Sequence, residues 1–357
     1  MRHSSICAVL SSLCSQEVWR LIYIAGQEYD AGDTELKYFK DEITAFPKGF
    51  YTLGASAIKY KCRGPYPDNY YSICYEWTQE MVDFYMWRLN YMMKNTKMAG
   101  IYVDNSYPYY SANIQGTNKL WYVRNGDQIQ PGTSILLFRQ LMKRVATLNY
   151  LMKKPYPGIG VHNTGAQYLP RFTFVQAGYG GEMDIPKSGD HFDIFYSAKP
   201  EIMLGVNWGI RKGMISMLHS HPKTAKATRA MYACYKIYDC AIWSNGLDNK
   251  LHRKLVQLER DFGTSQPDSR FIIWRKNKFV KVTNGAKNIR CSYFERPGKK
   301  LFYMANHDTK AQEVVFTLGA NGTLTDGETG KVIQPVNGAY KLKIEGHDFR
   351  CFVWKGK

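Results

Sequence analysis

The feature that most restricts the fold is a short apolar strand that ends in polar side chains. Residues 100–103 read Gly-Ile-Tyr-Val, follow an amphipathic run over residues 76–97, and lead directly into Asp104, Asn105 and Tyr107. A helix followed by a strand that ends in a carboxylate is typical of a parallel α/β sheet, which presents its chemistry at the carboxyl edge. The alternative is an aspartate that only fixes the turn through its own backbone.

The same pattern recurs along the chain. A second amphipathic run, capped by Thr133 or Ser134, precedes a strand at residues 158–161 that ends in His162 and Asn163. Further strands are predicted at residues 49–55, 172–176, 202–208 and 213–221. Because no Gly-x-Gly-x-x-Gly motif opens any of the helices, the repetition favours a (β/α)8-type, TIM-like barrel over an open doubly wound sheet.

Six clear strands fall short of the eight that a complete barrel needs. Either residues 18–24, Val-Trp-Arg-Leu-Ile-Tyr-Ile, supply another strand, or the chain begins inside a barrel whose first elements are missing. We leave both alternatives open and treat residues 1–48 as a poorly defined N-terminal segment.

The composition changes near residue 265. Residues 49–264 form the predicted barrel, and residues 263–269 read as a linker. From residue 270 onwards, short strands with tight turns replace helices, and Asn321-Gly322 and Asp326-Gly327 mark two of those turns. The pattern predicts a small antiparallel β-sandwich over residues 270–357.

Composition and charge are compatible with two classes of partner, carbohydrates and nucleic acids. Of the 357 residues, 45% are apolar, which is enough for sizeable cores, and the 27 Tyr and 8 Trp suit stacking on sugar rings or bases. The formal net charge of +18 raises the possibility of a nucleic-acid partner. However, the basic residues form no block and no nucleic-acid-binding motif is present, so an anionic polysaccharide or cell surface fits equally well. We expect no nucleic-acid partner, and the test is salt-dependent retention on DNA.

The sequence offers little sign of a metal, a cofactor or a membrane span. The eight cysteines are widely spaced and form no Cys-x-x-Cys motif. His219 and His221 are two apart in a predicted strand and could share a metal ion, but a third ligand would have to come from elsewhere. No run is long enough to cross a membrane, and no Gly-x-Ser-x-Gly motif points to a serine hydrolase. We therefore expect neither a metal nor a cofactor, and the sequence indicates no oligomeric state.

The polar residues after the strands would gather at one rim of the barrel. Two of them are carboxylates on different strands, Asp104 and Glu182, and Glu182 follows a Gly-Gly pair that lets backbone approach a ligand. Glycoside hydrolysis needs one acid to protonate the leaving oxygen and a second group to stabilise or attack the oxocarbenium centre. The candidate catalytic residues are therefore Asp104 and Glu182. The candidate substrate-binding residues, which are polar or aromatic, are Asn105, Tyr107, His162, Asn163, Trp208, His219 and His221.

Several of these segments resemble glycoside hydrolase family 123 and the barrel proteins related to it. The resemblance is carried by the strand at residues 100–108, the Gly-Gly-Glu at 180–182, the Asn-Trp-Gly at 207–209 and the terminal sandwich. It implies a retaining, exo-acting β-N-acetylgalactosaminidase-like enzyme, secreted or periplasmic, in which the substrate's acetamido group is the nucleophile. An adjacent Asp-Glu pair would orient that group and protonate the leaving group.

This chain departs from the family pattern at one residue. Asp104 matches the orienting acid, but Asn105 stands where the proton donor should be, and an amide cannot act as a general acid. Either Glu182 donates the proton, or the alignment is wrong, or catalysis has been lost. The sequence thus predicts a glycosidase acting on an oligo- or polysaccharide, with a non-catalytic carbohydrate-binding protein as the alternative.

Overall fold

The computed structural model describes part of the chain. The described residues are 7–10, 19–25, 28–30, 38, 72–74, 77–96, 98, 100–104, 106, 110–111, 122–130, 132–154, 158–162, 170–180, 211–214, 224–242 and 247–356. Two compact units can be separated, one comprising Met1–Val9 with Trp19–Gly178 and the other Leu10–Val18 with Tyr179–Lys357. The boundaries expected at residues 49, 264 and 270 remain predictions.

Among the described residues up to 180, the structure has two helices and a set of short strands. The helices are α1 (Gln79–Asn95) and α2 (Ile135–Leu151). The strands are β1 (Cys7–Leu10), β2 (Trp19–Ala25), β3 (Glu28–Asp30), β4 (Ser72–Cys74), β5 (Gly100–Asp104), β6 (Tyr110–Ser111), β7 (Tyr122–Arg124), β8 (Gln128–Gln130), β9 (Gly132–Thr133), β10 (Gly158–His162) and β11 (Ala177–Gly180).

The sheet of the first unit has the strand order β1-β2-β5-β10, and β2, β5 and β10 are parallel to one another. Both β2 and β10 run parallel to β5, with α1 between β2 and β5 along the chain and α2 between β5 and β10. Each new strand is therefore added on the same side of the one before, as in a barrel, whereas a doubly wound sheet reverses its order. The predicted parallel α/β sheet is confirmed to this extent, and closure into a barrel remains a prediction.

The two helices form where the sequence predicted amphipathic runs. Thr78 caps α1 by accepting a 3.2 Å hydrogen bond from the backbone of Met81, and α2 begins directly after Ser134. Buried apolar side chains such as Phe138 and Leu141 lie on one face of α2, and both are fully buried. Most of the stability of such a helix comes from the packing of its apolar face rather than from the intrinsic helix propensity of its residues.

One strand was predicted in the wrong place. Residues 172–176 were expected to be extended, but residues 170–174 form a turn and the strand is Ala177–Gly180. Phe172 and Val175 are buried in this turn, so their apolar character reflects packing rather than a strand. Gln176 is held by Ile159 near the start of β10, where its side chain accepts a 2.8 Å bond from the Ile159 backbone N–H. It therefore does not belong to the carboxyl rim.

Of the residues after 210 that the structure describes, two stretches form α-helices and a long series forms strands. The helices are α3 (Ala225–Tyr235) and α4 (Asn249–Phe262), with 3-10 turns at Lys236–Tyr238 and Trp274–Lys276. The strands are β12 (Arg211–Met214), β13 (Ala241–Ile242), β14 (Arg270–Ile272), β15 (Val280–Val282), β16 (Ile289–Arg296), β17 (Lys299–Asn306), β18 (Gln312–Leu318), β19 (Gly322–Asp326), β20 (Val332–Ile333), β21 (Tyr340–Ile344) and β22 (Asp348–Gly356).

The C-terminal strands form two antiparallel sheets that fit the predicted sandwich. One has the order β14-β16-β17-β22-β19-β20 and the other the order β15-β18-β21. Phe302 of β17 and Phe316 of β18 are fully buried in the same apolar cluster, which lies between the two sheets. The other face of the larger sheet packs on helices, because the alternate β17 residues Leu301 and Tyr303 join a cluster with Leu255 of α4. This third, helical layer was not predicted.

Candidate active site at the carboxyl ends of parallel strands

The register of the parallel sheet brings Asp104 and His162 together. Gly100 pairs with Gly158 and Val103 with Val161, so the next residues of β5 and β10 lie side by side where both strands end. Oδ1 of Asp104 is 2.7 Å from Nδ1 of His162. Since an ionised carboxylate only accepts hydrogen bonds, Nδ1 of His162 is the donor in this pair.

The third member of the cluster is Tyr23, on the other neighbouring strand. Its phenolic O–H donates to Oδ2 of Asp104, and its ring lies 5.7 Å from the ring of Tyr102, its register partner on β5. Both carboxylate oxygens of Asp104 therefore accept a hydrogen bond from a neighbouring strand. Hydrogen bonds to an ionised acceptor are stronger than neutral ones, so the orientation of this carboxylate is fixed from both sides.

Ser106 supports the cluster from the segment after β5. Its hydroxyl donates to the backbone carbonyl of His162, and the residue is 1% exposed. The side chain of Asp104 is 22% exposed and that of His162 is 9% exposed. The site is thus partly buried. Solvent reaches the carboxylate of Asp104, which the neighbouring side chains hold in place.

Of the nine predicted site residues, the structure brings together Asp104 and His162. The others lie outside the described residues, and their roles remain predictions: Asn105, Tyr107, Asn163, Glu182, Trp208, His219 and His221. Tyr23 and Ser106 were not assigned a role from the sequence. The signal for Tyr23 was its place in the predicted strand at residues 18–24, but only the strand register shows that its hydroxyl reaches Asp104.

Among the residues that the structure describes, no three His, Cys, Asp or Glu side chains lie close enough to hold a metal ion. Within the same ranges, no helix has the length and apolar character needed to cross a membrane.

Solved structures of similar shape were found, whereas no family model and no curated protein matches the chain. A noncanonic maltogenic α-amylase, AmyB from Thermotoga neapolitana, superposes with a TM-score of 0.54 at 10% identity, over 95% of this chain and 78% of that one. An Anoxybacillus α-amylase gives a TM-score of 0.53 at 9% identity, over 94% of this chain and 76% of that one. The fold resembles that of α-amylases.

A third such structure is the α-amylase GTA from Geobacillus thermoleovorans, solved in complex with acarbose. Its TM-score is 0.53 at 8% identity, over 94% of this chain and 77% of that one. These neighbours have TIM-barrel folds, which agrees with the fold class expected from the sequence. At this level of identity the likeness concerns the fold, and the specific resemblance to family 123 remains a hypothesis.

Proposed function

We propose that the protein is a glycoside hydrolase that acts on a glycan at the carboxyl edge of a closed (β/α)8-type barrel. The observation that carries the proposal is the Asp104 carboxylate, fixed by Tyr23 and His162 where β5 ends and partly open to solvent. The fold likeness to α-amylases supports it, because barrel enzymes place their catalytic groups at this edge.

The roles follow from the charge that develops during glycoside cleavage. The transition state resembles an oxocarbenium ion, and an ionised carboxylate aimed at it stabilises the positive charge or orients the attacking group. We assign this role to Asp104, and the role of general acid to Glu182. Around them, the sugar subsite would comprise Asn105, Tyr107, His162, Asn163, Trp208, His219 and His221.

The substrate class is the finer part of the proposal. The resemblance of residues 100–108 to family 123 favours an N-acetylhexosaminide, with the acetamido group of the substrate as nucleophile and Asp104 as the residue that orients it. A substrate of this kind would be cleaved much faster than the matching hexoside without the acetamido group, because the second substrate lacks the nucleophile.

The test compares Asp104→Ala and Asp104→Asn with the wild type on a panel of aryl hexosides, aryl N-acetylhexosaminides and maltooligosaccharides. We expect both variants to lose at least about a hundredfold in kcat/KM, since the charge that stabilises the transition state is removed. Asp127→Asn, which changes an exposed carboxylate in the hairpin between β7 and β8, is the matched control. Wild-type activity in both Asp104 variants would refute the assignment.

One feature favours the alternative, a carbohydrate-binding protein without turnover. Both carboxylate oxygens of Asp104 already accept hydrogen bonds, and the next residue is an amide rather than an acid. A protein of this kind would bind oligosaccharides through the same residues. Retention on a glycan column that weakens in Asp104→Ala, with no product from any substrate of the panel, would establish the alternative.

A further inference from the structure

Helix α4 presents a strongly basic face to solvent. Its opposite face is buried, where Leu255 and Phe262 join the apolar cluster between the helices and the larger sheet. The exposed residues of α4 are all polar, and they are Asn249, Lys250, Arg253, Lys254, Gln257, Arg260 and Asp261. We call Lys250, Arg253, Lys254 and Arg260 the α4 basic row. A face without exposed apolar side chains cannot insert into a lipid layer, so its chemistry is that of its charges.

The backbone that carries the α4 basic row is held in place at both ends. Asp248 caps the first turn by accepting a 2.8 Å hydrogen bond from the backbone N–H of Leu251, and Gly263 ends the helix at φ 84°. Since an α-helix rises about 1.5 Å per residue, the four charges extend over about 15 Å along one side of α4. The row is therefore presented by a fixed element, which lowers the entropic cost of binding an extended ligand.

The acids of α4 itself do not neutralise the row. Glu259 is engaged by Lys236, whose Nζ lies 2.7 Å from Oε1, and by the hydroxyl of Tyr303, which donates to it at 2.6 Å. Asp261, an exposed acid on the basic face, accepts a 2.7 Å hydrogen bond from Gln257. Throughout the described residues, no carboxylate lies within ion-pair distance of any member of the row. Four basic side chains and one acidic side chain give this face a net charge of +3.

Other acids of the same unit pair with basic side chains away from the row. Glu328 pairs with Arg229 at 2.8 Å. Asp268, which follows the end of α4 along the chain, pairs with Arg296 at 2.9 Å. These carboxylates are therefore already used, and the positive charge of the row remains open to a ligand from outside the chain.

Three members of the row lie where a positive charge works against the helix. Lys250 is in the first turn, at the positive end of the helix dipole, and no acid occupies that turn. It is also three and four residues from Arg253 and Lys254, and like charges at these spacings repel each other. Arg260 differs, because a cation suits the last turn. A charge pattern that opposes the local structure is expected where it serves a function.

We propose that the α4 basic row binds an anionic polysaccharide, with its ammonium and guanidinium groups pairing with the carboxylate or sulfate groups of successive sugar units. The charges of the row are on average about 5 Å apart along the helix axis, which is close to the length of one sugar unit. Duplex DNA is much denser in charge, with about one phosphate per 1.7 Å. The choice of a glycan over another polyanion rests also on the function proposed above. The row would hold an acidic polymer by a part of the chain that takes no part in bond cleavage.

The test compares two triple variants of the full-length protein that lower its net charge equally. The row variant is Lys250→Ala/Arg253→Ala/Lys254→Ala. The matched control removes three exposed basic side chains from separate parts of the same unit, and it is Lys281→Ala/Lys310→Ala/Lys331→Ala. All proteins also carry Asp104→Asn, so that a hydrolase cannot consume the polymer.

Dissociation constants are measured at several salt concentrations with polygalacturonate, amylose, double-stranded DNA and phosphatidylserine vesicles. Melting temperatures verify folding, and the row variant should melt no lower than the parent, because alanine favours the helix and the repulsion between like charges is removed. If the row variant is nevertheless unstable, Lys250→Gln/Arg253→Gln/Lys254→Gln removes the same charges and keeps long side chains.

We expect the row variant to bind polygalacturonate about tenfold more weakly and the control within about twofold of the parent, because each exposed ion pair contributes only modestly. The slope of log Kd against log salt should fall by about two in the row variant, since each lost contact releases about 0.7 of a counterion on a single-stranded polyanion. Amylose, which is neutral, should bind the parent and the row variant equally.

Equal losses of polygalacturonate binding in the two variants, or no loss in the row variant, would overturn the proposal. A larger loss for DNA or for the vesicles than for polygalacturonate would also overturn it and identify a nucleic-acid or membrane-surface site instead. Loss of polygalacturonate binding in the row variant of a protein that cleaves no glycoside would sustain this proposal and refute the hydrolase. An active hydrolase whose row variant binds as the parent does would refute this proposal alone.

Discussion

Oδ1 of Asp104 and Nδ1 of His162 are 2.7 Å apart although the residues are 58 positions apart in the chain. The contact is a direct result of the β5–β10 register, which pairs Val103 with Val161 and so places the next side chain of each strand at the same level. Since parallel strands end at the same edge, one register fixes the distance between two functional groups that no local sequence pattern connects.

Replacing Tyr23 with phenylalanine should lower kcat and leave KM within about twofold. The change removes the O–H that donates to Oδ2 of Asp104 while keeping the ring contact with Tyr102. A hydrogen bond to an ionised group contributes enough to account for a loss of about ten- to a hundredfold. Steady-state kinetics on the best aryl glycoside would measure it. Tyr122→Phe, at an exposed tyrosine, is the control, and a fall in kcat of the same size there would contradict the role of Tyr23.

Two substitutions of His162 separate the two roles proposed for its ring. Asparagine can place an N–H near the position of Nδ1 and continue to donate to Asp104, whereas alanine cannot. Both substitutions remove the rest of the imidazole ring, which is assigned to the sugar subsite. We therefore expect KM to rise in both variants, and kcat to remain about tenfold higher in His162→Asn than in His162→Ala. Identical kcat values would show that the contact with Asp104 does not orient the carboxylate.

Gly100→Ala should destabilise the sheet that holds the site. A Cβ at this position would lie 1.9 Å from the carbonyl oxygen of Gly158 on the neighbouring strand, so the backbones of β5 and β10 would have to separate. Overpacking of this kind costs about 1–3 kcal/mol. Urea unfolding would measure the loss, and Gly180→Ala, where a Cβ meets no atom of the described residues within 4 Å, should leave stability nearly unchanged. A stable variant with normal activity would contradict the close approach.

Local sequence patterns predicted those parts of the fold in which side-chain periodicity and burial agree. The helix before residue 100 was predicted from its amphipathic run and is observed as α1, Gln79–Asn95, where Thr78 caps the start. The strand ending in Asp104 was predicted because its apolar residues lead directly into a carboxylate. The turn at residues 170–174 was missed, because burial of Phe172 against Phe138 imitates the pattern of a strand.

The relations between distant residues could not be predicted in this way. The hydrogen bond from Tyr23 to Asp104 depends on which strands are neighbours and on their register. The packing of α3 and α4 on one face of the larger C-terminal sheet was missed for a similar reason. β17 is apolar on both faces, and its sequence alone does not show that Tyr303 meets a helix while Phe302 meets a second sheet.

Stability should fall as the pH drops from about 6.5 towards 4, in part because of His252. Burial lowers the pKa of His252 to about 4, and the positive charge of Lys236 acts in the same direction. The neutral ring lies 2.8 Å from the hydroxyl of Tyr232. In the unfolded chain histidine titrates near pH 6.5, so between these two values the unfolded state binds a proton that the folded state does not. The contribution of His252 to the free energy of unfolding is fully present above about pH 6.5, and up to about 3 kcal/mol of it is lost by pH 4.

His252→Asn tests this directly, because the asparagine carbonyl can still accept a hydrogen bond from Tyr232 but cannot titrate. Urea unfolding between pH 7 and pH 4 should show that the unfolding free energy declines less steeply with pH in this variant. The difference in slope should correspond to the uptake of up to about one proton on unfolding. His347→Asn is the control, at a turn residue with φ 52° that asparagine tolerates well. Burial lowers the pKa of His307 to about 3, and this residue is unchanged in both variants. The unfolding free energy of His252→Asn should therefore still decline somewhat towards low pH. An unchanged slope in His252→Asn would show that this histidine does not control the acid sensitivity of the C-terminal unit.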